Sequence, residues 1–318
     1  MSVHHEEDEF RSRVDWRLWR QVFHRAMPHR RLVIPLAFTS VFIAAIDSSF
    51  ALVTRAAVDE VAARGSDSSL VAHAVTYAGL TAGLAVGVWL FIYLAGAVSN
   101  HVSHDIRRDG FARLQELEFA FFDKRPTGWL VSRLTSDCDK LARIISWGFL
   151  DCLWAVCLVL MIAFQLLRLD WRLGLVVLSI VPPLLYVSAR FQKRMLLSAR
   201  ETRKYNSMIT ASFTEALGGM RTTKTLVRER ENLAEFTGLS EAMFDASLRN
   251  ARQSALYMPI VLTLGSVAGG LALWAGGGRL LAGEVSIGTL VAFLFYTGQF
   301  FYPVNSIANV LVQMQGAQ

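Results

Sequence analysis

Residues 70–122 read LVAHAVTYAGLTAGLAVGVWLFIYLAGAVSNHVSHDIRRDGFARLQELEFAFF. No proline interrupts them, and from Ser68 to His104 there is no Asp, Glu, Lys or Arg. A helix crossing a hydrocarbon core about 30 Å thick needs about 20 mostly apolar residues. At about 1.5 Å per residue the whole stretch reaches roughly 80 Å as one helix, more than twice that thickness. Its charged end, from Asp105 onward, must then project into water. The same pattern recurs from Val187 to Met258, where a charged stretch of some sixty residues holds no proline and only three glycines, Gly218, Gly219 and Gly238. Two long rods meeting at Gly218 and Gly219 would form a second prong outside the bilayer.

Working outward, the composition agrees. The 318 residues are 53% hydrophobic and 18% charged, with mean hydropathy +0.37. A soluble domain averages about 45 to 50% apolar and about 25% charged. No soluble core would hide that excess, which excludes an ordinary water-soluble enzyme, a disordered chain and a disulfide-stapled secreted domain. Cys138, Cys152 and Cys157 match neither metal-ligand spacing nor a bridge and read as helix residues.

Six runs qualify as spans: Leu32 to Thr54, broken only by Asp47; Ser68 to His104; Ile144 to Leu167, holding only Asp151; Leu173 to Ala189; Gln253 to Gly278; and Val285 to Gln318. Arg168 to Arg172 leave room only for a tight turn between the third and fourth. Of the 32 basic residues, 27 lie before the first span, between Arg107 and Arg143, or between Arg190 and Arg252. Cytoplasmic segments retain Lys and Arg, so both termini are expected in the cytoplasm of a multi-pass protein of the inner or plasma membrane. The net charge of +6 then reflects topology, and the basic residues form no compact patch for nucleic acid. Residues 1–12 read as a disordered acidic N-terminus without a signal-peptide core. Residues 13–28 read as an interfacial elbow helix, with Trp16, Trp19, Phe23 and Met27 on one face, Arg13, Arg17, Arg20 and Arg25 on the other, and Pro28 ending it. Residues 29–318 are the six-span body.

Gly79, Gly83 and Gly87, and Gly265 with Gly269, repeat every four residues, a spacing that lets helices approach closely. Pro182, Pro183, Pro259 and Pro303 are expected to kink the last three spans. Gln299, Tyr302, Ser306, Asn309 and Gln313 follow one another by 3, 4, 3 and 4 residues and so share one face of an uninterrupted sixth helix. As polar groups they should face protein or water rather than lipid. They are candidate substrate-pathway residues, alternatively an interhelical hydrogen-bonding seam. Asp47 joins them, since a carboxylate within a span is a functional candidate; a structural hydrogen bond is its other reading. Asp151 reads as structural, Trp16, Trp147, Trp171 and Trp274 as interfacial anchors, and Arg133 with Asp137 as a helix pair. No catalytic or metal-ligating constellation emerges.

The first polar turn reads FFDKRPTGWLVSRLTSD from Phe121 to Asp137, and the second EALGGMRTTK from Glu215 to Lys224. They resemble the segments between spans two and three and between spans four and five of ABC exporters, in the right order. The resemblance runs from the elbow helix to the end of the chain, and Trp129 departs from it where the family commonly has an acidic or amide residue. It implies an all-α membrane protein of the type IV ABC exporter fold: a dimer, with a second copy or a paralogous half-transporter, whose halves exchange spans. It also implies coupling helices near 118–128 and 213–223 that dock on ABC ATP-binding domains, through Phe121, Phe122 and Asp123 and through Glu215, Ala216, Leu217, Gly218 and Gly219. Small molecules, lipids or peptides are the implied substrates. No G-x-x-x-x-G-K-[ST] phosphate loop stands in the chain. ATP and Mg are therefore expected in an ATP-binding domain outside it, and the chain reads as part of a longer protein, with a natural split subunit as the alternative. Rival readings are a proton-driven transporter of similar fold coupled through Asp47, and a non-transporting sensor or scaffold.

Overall fold

The structure is a computed structural model that describes residues 17, 19, 20, 24, 26–123 and 127–316. The segment 1–12 and most of the expected elbow helix lie outside them. The described residues contain helices and no strand, as a chain must that satisfies its own backbone in lipid. Six helical segments are long and apolar enough to cross a membrane: Met27–Arg64, Val71–Gln115, Leu130–Leu169, Trp171–Gly218, Glu229–Leu281 and Ile287–Ile307. They are called the first to sixth spans, and their charged ends lie outside the charge-free runs given above.

Each boundary has a local cause. The first span is entered through a tight turn at Met27–His29 that carries Pro28 at its start, where a missing N–H costs nothing. The second span is a continuous helix over Val71–Gln115, 45 residues, or about 68 Å. It stops short of the expected Phe122. Glu116 and Leu117 donate to the carbonyls of Arg113 and Leu114, tightening and closing the last turn, and a separate helix follows over Phe119–Asp123. The third span passes through π-helical turns at Arg133–Asp137 and Ile144–Gly148. Between the third and fourth spans Asp170 is extended, and its carboxylate accepts from the N–H groups of Arg172 and Leu173 at 3.0 Å, capping the next helix.

The expected kinks resolve differently from one another. The fourth span is broken at Ser179–Ile180, and Pro182 and Pro183 occupy the first turn of the helix Val181–Gly218. Pro259 sits inside a continuous helix of 53 residues, Glu229–Leu281. The sixth span is two helices, Ile287–Gln299 and Phe301–Gly316, parted at Phe300 just before Pro303.

The chain divides into two compact units, Met1–Val181 with Val267–Gln318, and Pro182–Ser266. In the first unit, Phe293 and Tyr296, both fully buried, centre a core with Leu158, Ile162, Leu166 and Leu173. A second cluster joins Leu36, Leu94, Val98, Val102 and Ile145, and Trp19, also fully buried, packs with Ile144, Val310 and Met314. Gly83 and Gly87 let the second span press on the first: a methyl group there would lie 3.3 Å from Ile46 Cδ1 and 3.2 Å from Ile43 Cγ1. Gly79 and Gly269 face nothing within 4 Å among the described residues. The second unit is a pair of rods joined at intervals. Ser188 accepts from the Tyr257 hydroxyl at 3.2 Å, Ser198 donates to Gln253 at 3.0 Å, Arg249 pairs with Glu201 at 2.9 Å, and Phe213 lies beside Phe236.

One clasp fixes the sixth span to the first. Asp59 accepts from the Gly288 N–H at 2.8 Å and from the Ser286 hydroxyl at 2.9 Å, while the Ser286 oxygen accepts from Thr289 N–H. The approach is so close that a Cβ on Gly288 would lie 2.6 Å from Asp59 Oδ1. Gly288→Ala is therefore expected to cost about 1 to 3 kcal/mol as an overpacked contact, read as a lowered unfolding midpoint of the purified protein. An unchanged midpoint would show that the helices have room to separate.

Candidate functional site

Polar groups of the first, third and sixth spans meet inside the first unit. Helical packing turns Asp47 of the first span toward the third, where the Trp154 indole N–H donates to Asp47 Oδ2 at 3.2 Å. The Tyr302 ring stands edge to face against Trp154, with centroids 5.7 Å apart. From the sixth span the Gln299 amide nitrogen points to the Asp47 backbone carbonyl at 3.5 Å, while Gln299 Oε1 is buried with no hydrogen-bond partner among the described residues. One turn away the buried Tyr296 hydroxyl donates to the Ser48 carbonyl at 2.7 Å. Farther along, the Ser306 hydroxyl is hydrogen-bonded to Asp151 Oδ2.

The polar stripe thus divides. Gln299 and Ser306 turn inward to the first and third spans, whereas Tyr302, at 70% exposure, Asn309 and Gln313 lie on the surface of the chain. The 3, 4, 3, 4 spacing assumed one continuous helix. The helix is interrupted at Phe300, between Gln299 and the rest, though Phe300 keeps right-handed helical dihedrals, and within Phe301–Gly316 Ser306 is the member of the stripe that meets Asp151.

The two polar turns carry the other candidates. At the first, Phe121 and Phe122 pack edge to face at 5.7 Å within Phe119–Asp123, with Phe121 half-buried and Asp123 exposed. Arg133 pairs with Asp137 at 3.0 Å across the following π-helical turn. At the second, Glu215, Ala216, Leu217 and Gly218 form the end of the long fourth helix, and Gly219 is the bend. The short helix lies just beyond, at Met220–Leu226, and ends at Val227, whose φ of 55° is left-handed. A β-branched residue is strained there. Asn232 donates to Thr223 Oγ1 at 3.2 Å and tethers this helix to the next. The Lys224 ammonium, 2.9 Å from Glu229, holds that carboxyl below its ordinary range, so the tether persists as pH falls toward the usual carboxylate values.

The surface of the second turn is apolar where water would favour charge. Leu217, Leu226 and Val227 are 58%, 61% and 80% exposed, the kind of patch that marks an interaction site. Leu226 and Val227 were not among the sequence candidates. Their signal was an apolar pair inside a run of Arg, Lys and Glu.

Where the second and third spans leave the apolar zone, a cavity of about 340 Å³ is lined by Asn100, Ser103, His104, Arg107, Arg108 and Asp139. Asp139 accepts from Ser103 at 2.7 Å and pairs with Arg107 at 2.6 Å. Asp105, 2.7 Å from His29 Nε2, is held below the ordinary carboxylate range by that hydrogen bond. Among the described residues no three His, Cys, Asp or Glu side chains come together as metal ligands.

Residues 33–304 match the family described as the ABC transporter transmembrane region. The chain is 24% identical to an uncharacterized ABC transporter ATP-binding protein, YknV, of Bacillus subtilis over 94% of this chain and 49% of the relative. It is 25% identical to an ATP-dependent lipid A-core flippase of Bordetella avium over 94% and 50%. It is 28% identical to a probable multidrug resistance ABC transporter ATP-binding/permease protein, YheH, of B. subtilis over 71% and 34%. The chain spans about half, or less, of the length of these relatives.

Proposed function

The chain belongs to the ABC transporter transmembrane-region family, and from that premise we propose that it forms the translocation pathway of an ATP-driven exporter working by alternating access. The observation that carries the reading is the length of the rods: helices of 45, 38 and 53 residues extend far beyond any bilayer and end in short helices. A stiff rod moved at its tip moves at its far end. ATP and Mg²⁺ would be held by an ATP-binding region, on the same polypeptide or another, and would supply closure at the tips; Phe119–Asp123 and Met220–Leu226 are the docking elements. The short second-turn helix Met220–Leu226 begins directly after the expected contact residues Glu215 to Gly219 and is read as part of the same docking tip.

The dimer reading rests on the family resemblance, in which two halves, a second copy or a paralogous half-transporter, exchange spans. The charge asymmetry of the sequence supports a cytoplasmic side for both ends of the chain. Tyr302, Asn309 and Gln313 are the pathway-lining part of the stripe, and Gln299 and Ser306 position it. A small amphiphile is the substrate class that half-buried polar groups within apolar spans favour.

The test is flux in vesicles reconstituted with the protein and its ATP-binding region. Accumulation of a fluorescent amphiphile is expected to require Mg-ATP and to stop with a non-hydrolysable analogue. Flux that follows an imposed pH gradient and ignores ATP would refute the reading, and no flux under either condition would favour a sensor or scaffold.

A further inference from the structure

The cavity at the polar end of the second span carries donors that its own carboxylates do not exhaust. Asn100, Ser103, His104, Arg107, Arg108 and Asp139 enclose about 340 Å³, within the range of about 300 to 1,000 Å³ usual for ligand pockets. Asp139 of the third span accepts from the buried Ser103 hydroxyl at 2.7 Å and takes Arg107 Nη2 at 2.6 Å. Both carboxylate oxygens are thereby engaged, and the guanidinium is aimed. Arg107 keeps N–H groups to spare, since a guanidinium carries five. Arg108 reaches Asp109 through Nε and Nη2, and its Nη1 lies 3.9 Å from Asp105 Oδ1. Asp105 is itself held by His29 at 2.7 Å. The two guanidinium groups remain 45% and 65% exposed, beside the exposed Asn100 amide and His104 ring.

Depth decides what can reach these donors. The charge-free run of the second span ends at His104, so the cavity opens where hydrocarbon gives way to headgroups. Trp89, Tyr93, Gly96, Asn100, His104 and Arg107 follow one another by 4, 3, 4, 4 and 3 residues and share one face of the continuous helix Val71–Gln115. Trp89 and Tyr93 are exposed, with rings stacked 6.1 Å apart, and a methyl group on Gly96 would meet nothing within 4 Å among the described residues. An apolar track therefore leads straight to a cluster of N–H donors. A phospholipid has the complementary layout, chains above and phosphate below. Guanidinium groups pair with phosphate oxygens in a fork, and basic pockets between spans take anionic headgroups.

We infer that this cavity holds the phosphate of an anionic phospholipid, with Arg107 and Arg108 supplying the charge, Asn100 and His104 further nitrogen contacts, and Tyr93 and Trp89 the track for an acyl chain. Asp139 has a double effect. It aims Arg107, yet its own charge opposes the phosphate, so neutralising it should tighten the lipid. The site lies apart from the polar groups of the first, third and sixth spans. It needs only the membrane spans, so it goes beyond the exporter reading and stands whether or not the chain exports. Soluble phosphate esters share the headgroup chemistry but have no use for the track.

The experiment places the full protein in phosphatidylcholine nanodiscs with a small, equal fraction of pyrene-tailed phosphatidylglycerol or pyrene-tailed phosphatidylcholine, and reads energy transfer from the tryptophans. The wild type is expected to favour phosphatidylglycerol by at least about fivefold, the effect of one basic side chain at an anionic headgroup. Arg108→Gln should bring the two lipids close to parity, and so should Arg107→Gln. Should Arg107→Gln fail to fold for want of its bond to Asp139, the exposed Arg108 carries the test. Asp139→Asn should raise the preference several-fold, which a purely structural pairing would not do. Arg30→Gln with Arg31→Gln, two exposed basic residues at the start of the first span, controls for general attraction and should leave the preference in place. Equal association of both lipids with the wild type, or a preference lost in that control and kept in the Arg107 and Arg108 variants, overturns the site. Millimolar sn-glycerol 3-phosphate should leave the probe bound; its displacement would overturn the lipid in favour of a soluble phosphate ester. Association is read without ATP or flux, so its failure leaves the exporter reading untouched, and flux indifferent to ATP leaves the lipid site untouched.

Discussion

Aspartate at Leu226 and Val227 together is expected to cut ATP-driven flux by about 30-fold or more while leaving the unfolding midpoint of the protein in place. The expectation follows from where these side chains are. They are 61% and 80% exposed at the tip of the second turn, so nothing inside the chain is lost when they become charged, and surface changes of this kind usually stay within about 0.5 kcal/mol. If the tip docks on an ATP-binding region, two carboxylates must be desolvated where apolar side chains sat, a cost of about 2 kcal/mol or more to the contact as a whole, which is about 30-fold. The measurement pairs vesicle flux with thermal unfolding. Full flux in the double variant would place the docking surface elsewhere. Val227→Gly is a second probe of the same point: relief of a left-handed φ of 55° should raise local stability by about 1 kcal/mol, yet loss of the side chain should still lower coupling. Stability and flux then move in opposite directions, which no general loosening of the fold would produce.

The largest stability effect is expected at Phe293. Its side chain is fully buried among Leu158, Ile162, Leu166, Leu173 and Tyr296, where the first, third, fourth and sixth spans meet. Between helices in lipid, packing rather than water exclusion holds the contact, so the void left by Phe293→Ala forfeits most of its attraction. A loss of about 3 to 5 kcal/mol is expected, seen as a large fall in midpoint and as loss of the purified, monodisperse protein. Phe119→Ala, where the ring is 89% exposed, should fall within about 0.5 kcal/mol. Similar behaviour of the two variants would mean that the core drawn around Phe293 is not the one the protein uses.

The architecture was legible because lipid makes a coarse demand: twenty or so residues without charge, repeated six times. Span positions, the tight turn at Arg168 to Arg172 and the close approach at Gly83 and Gly87 all follow from residues near one another in the chain. Contacts that join distant residues left no such trace. Nothing around Asp59 announces that it will hold Gly288, more than two hundred residues away, or that Asp151 will take Ser306. Helix ends were the other weak point. The second span closes at Gln115, and Ser179–Ile180 rather than the prolines themselves mark the break in the fourth, because single hydrogen bonds at the ends decide such matters. Of the stripe on the sixth span, only Gln299 lies across the interruption at Phe300, while Tyr302, Ser306, Asn309 and Gln313 stay on one helix at the spacing of a shared face.

That discontinuity at Phe300 has a mechanical corollary. Ile287–Gln299 lies mainly on the first span, to which Asp59 and the Ser48 carbonyl bind it, whereas Phe301–Gly316 lies mainly on the third, through Asp151. The two halves therefore ride on different carriers. Should the first and third spans slide past each other, the sixth need not choose between them: it can flex at a knuckle, and the rings of Tyr302 and Trp154 beside that knuckle would be the first to feel the slide.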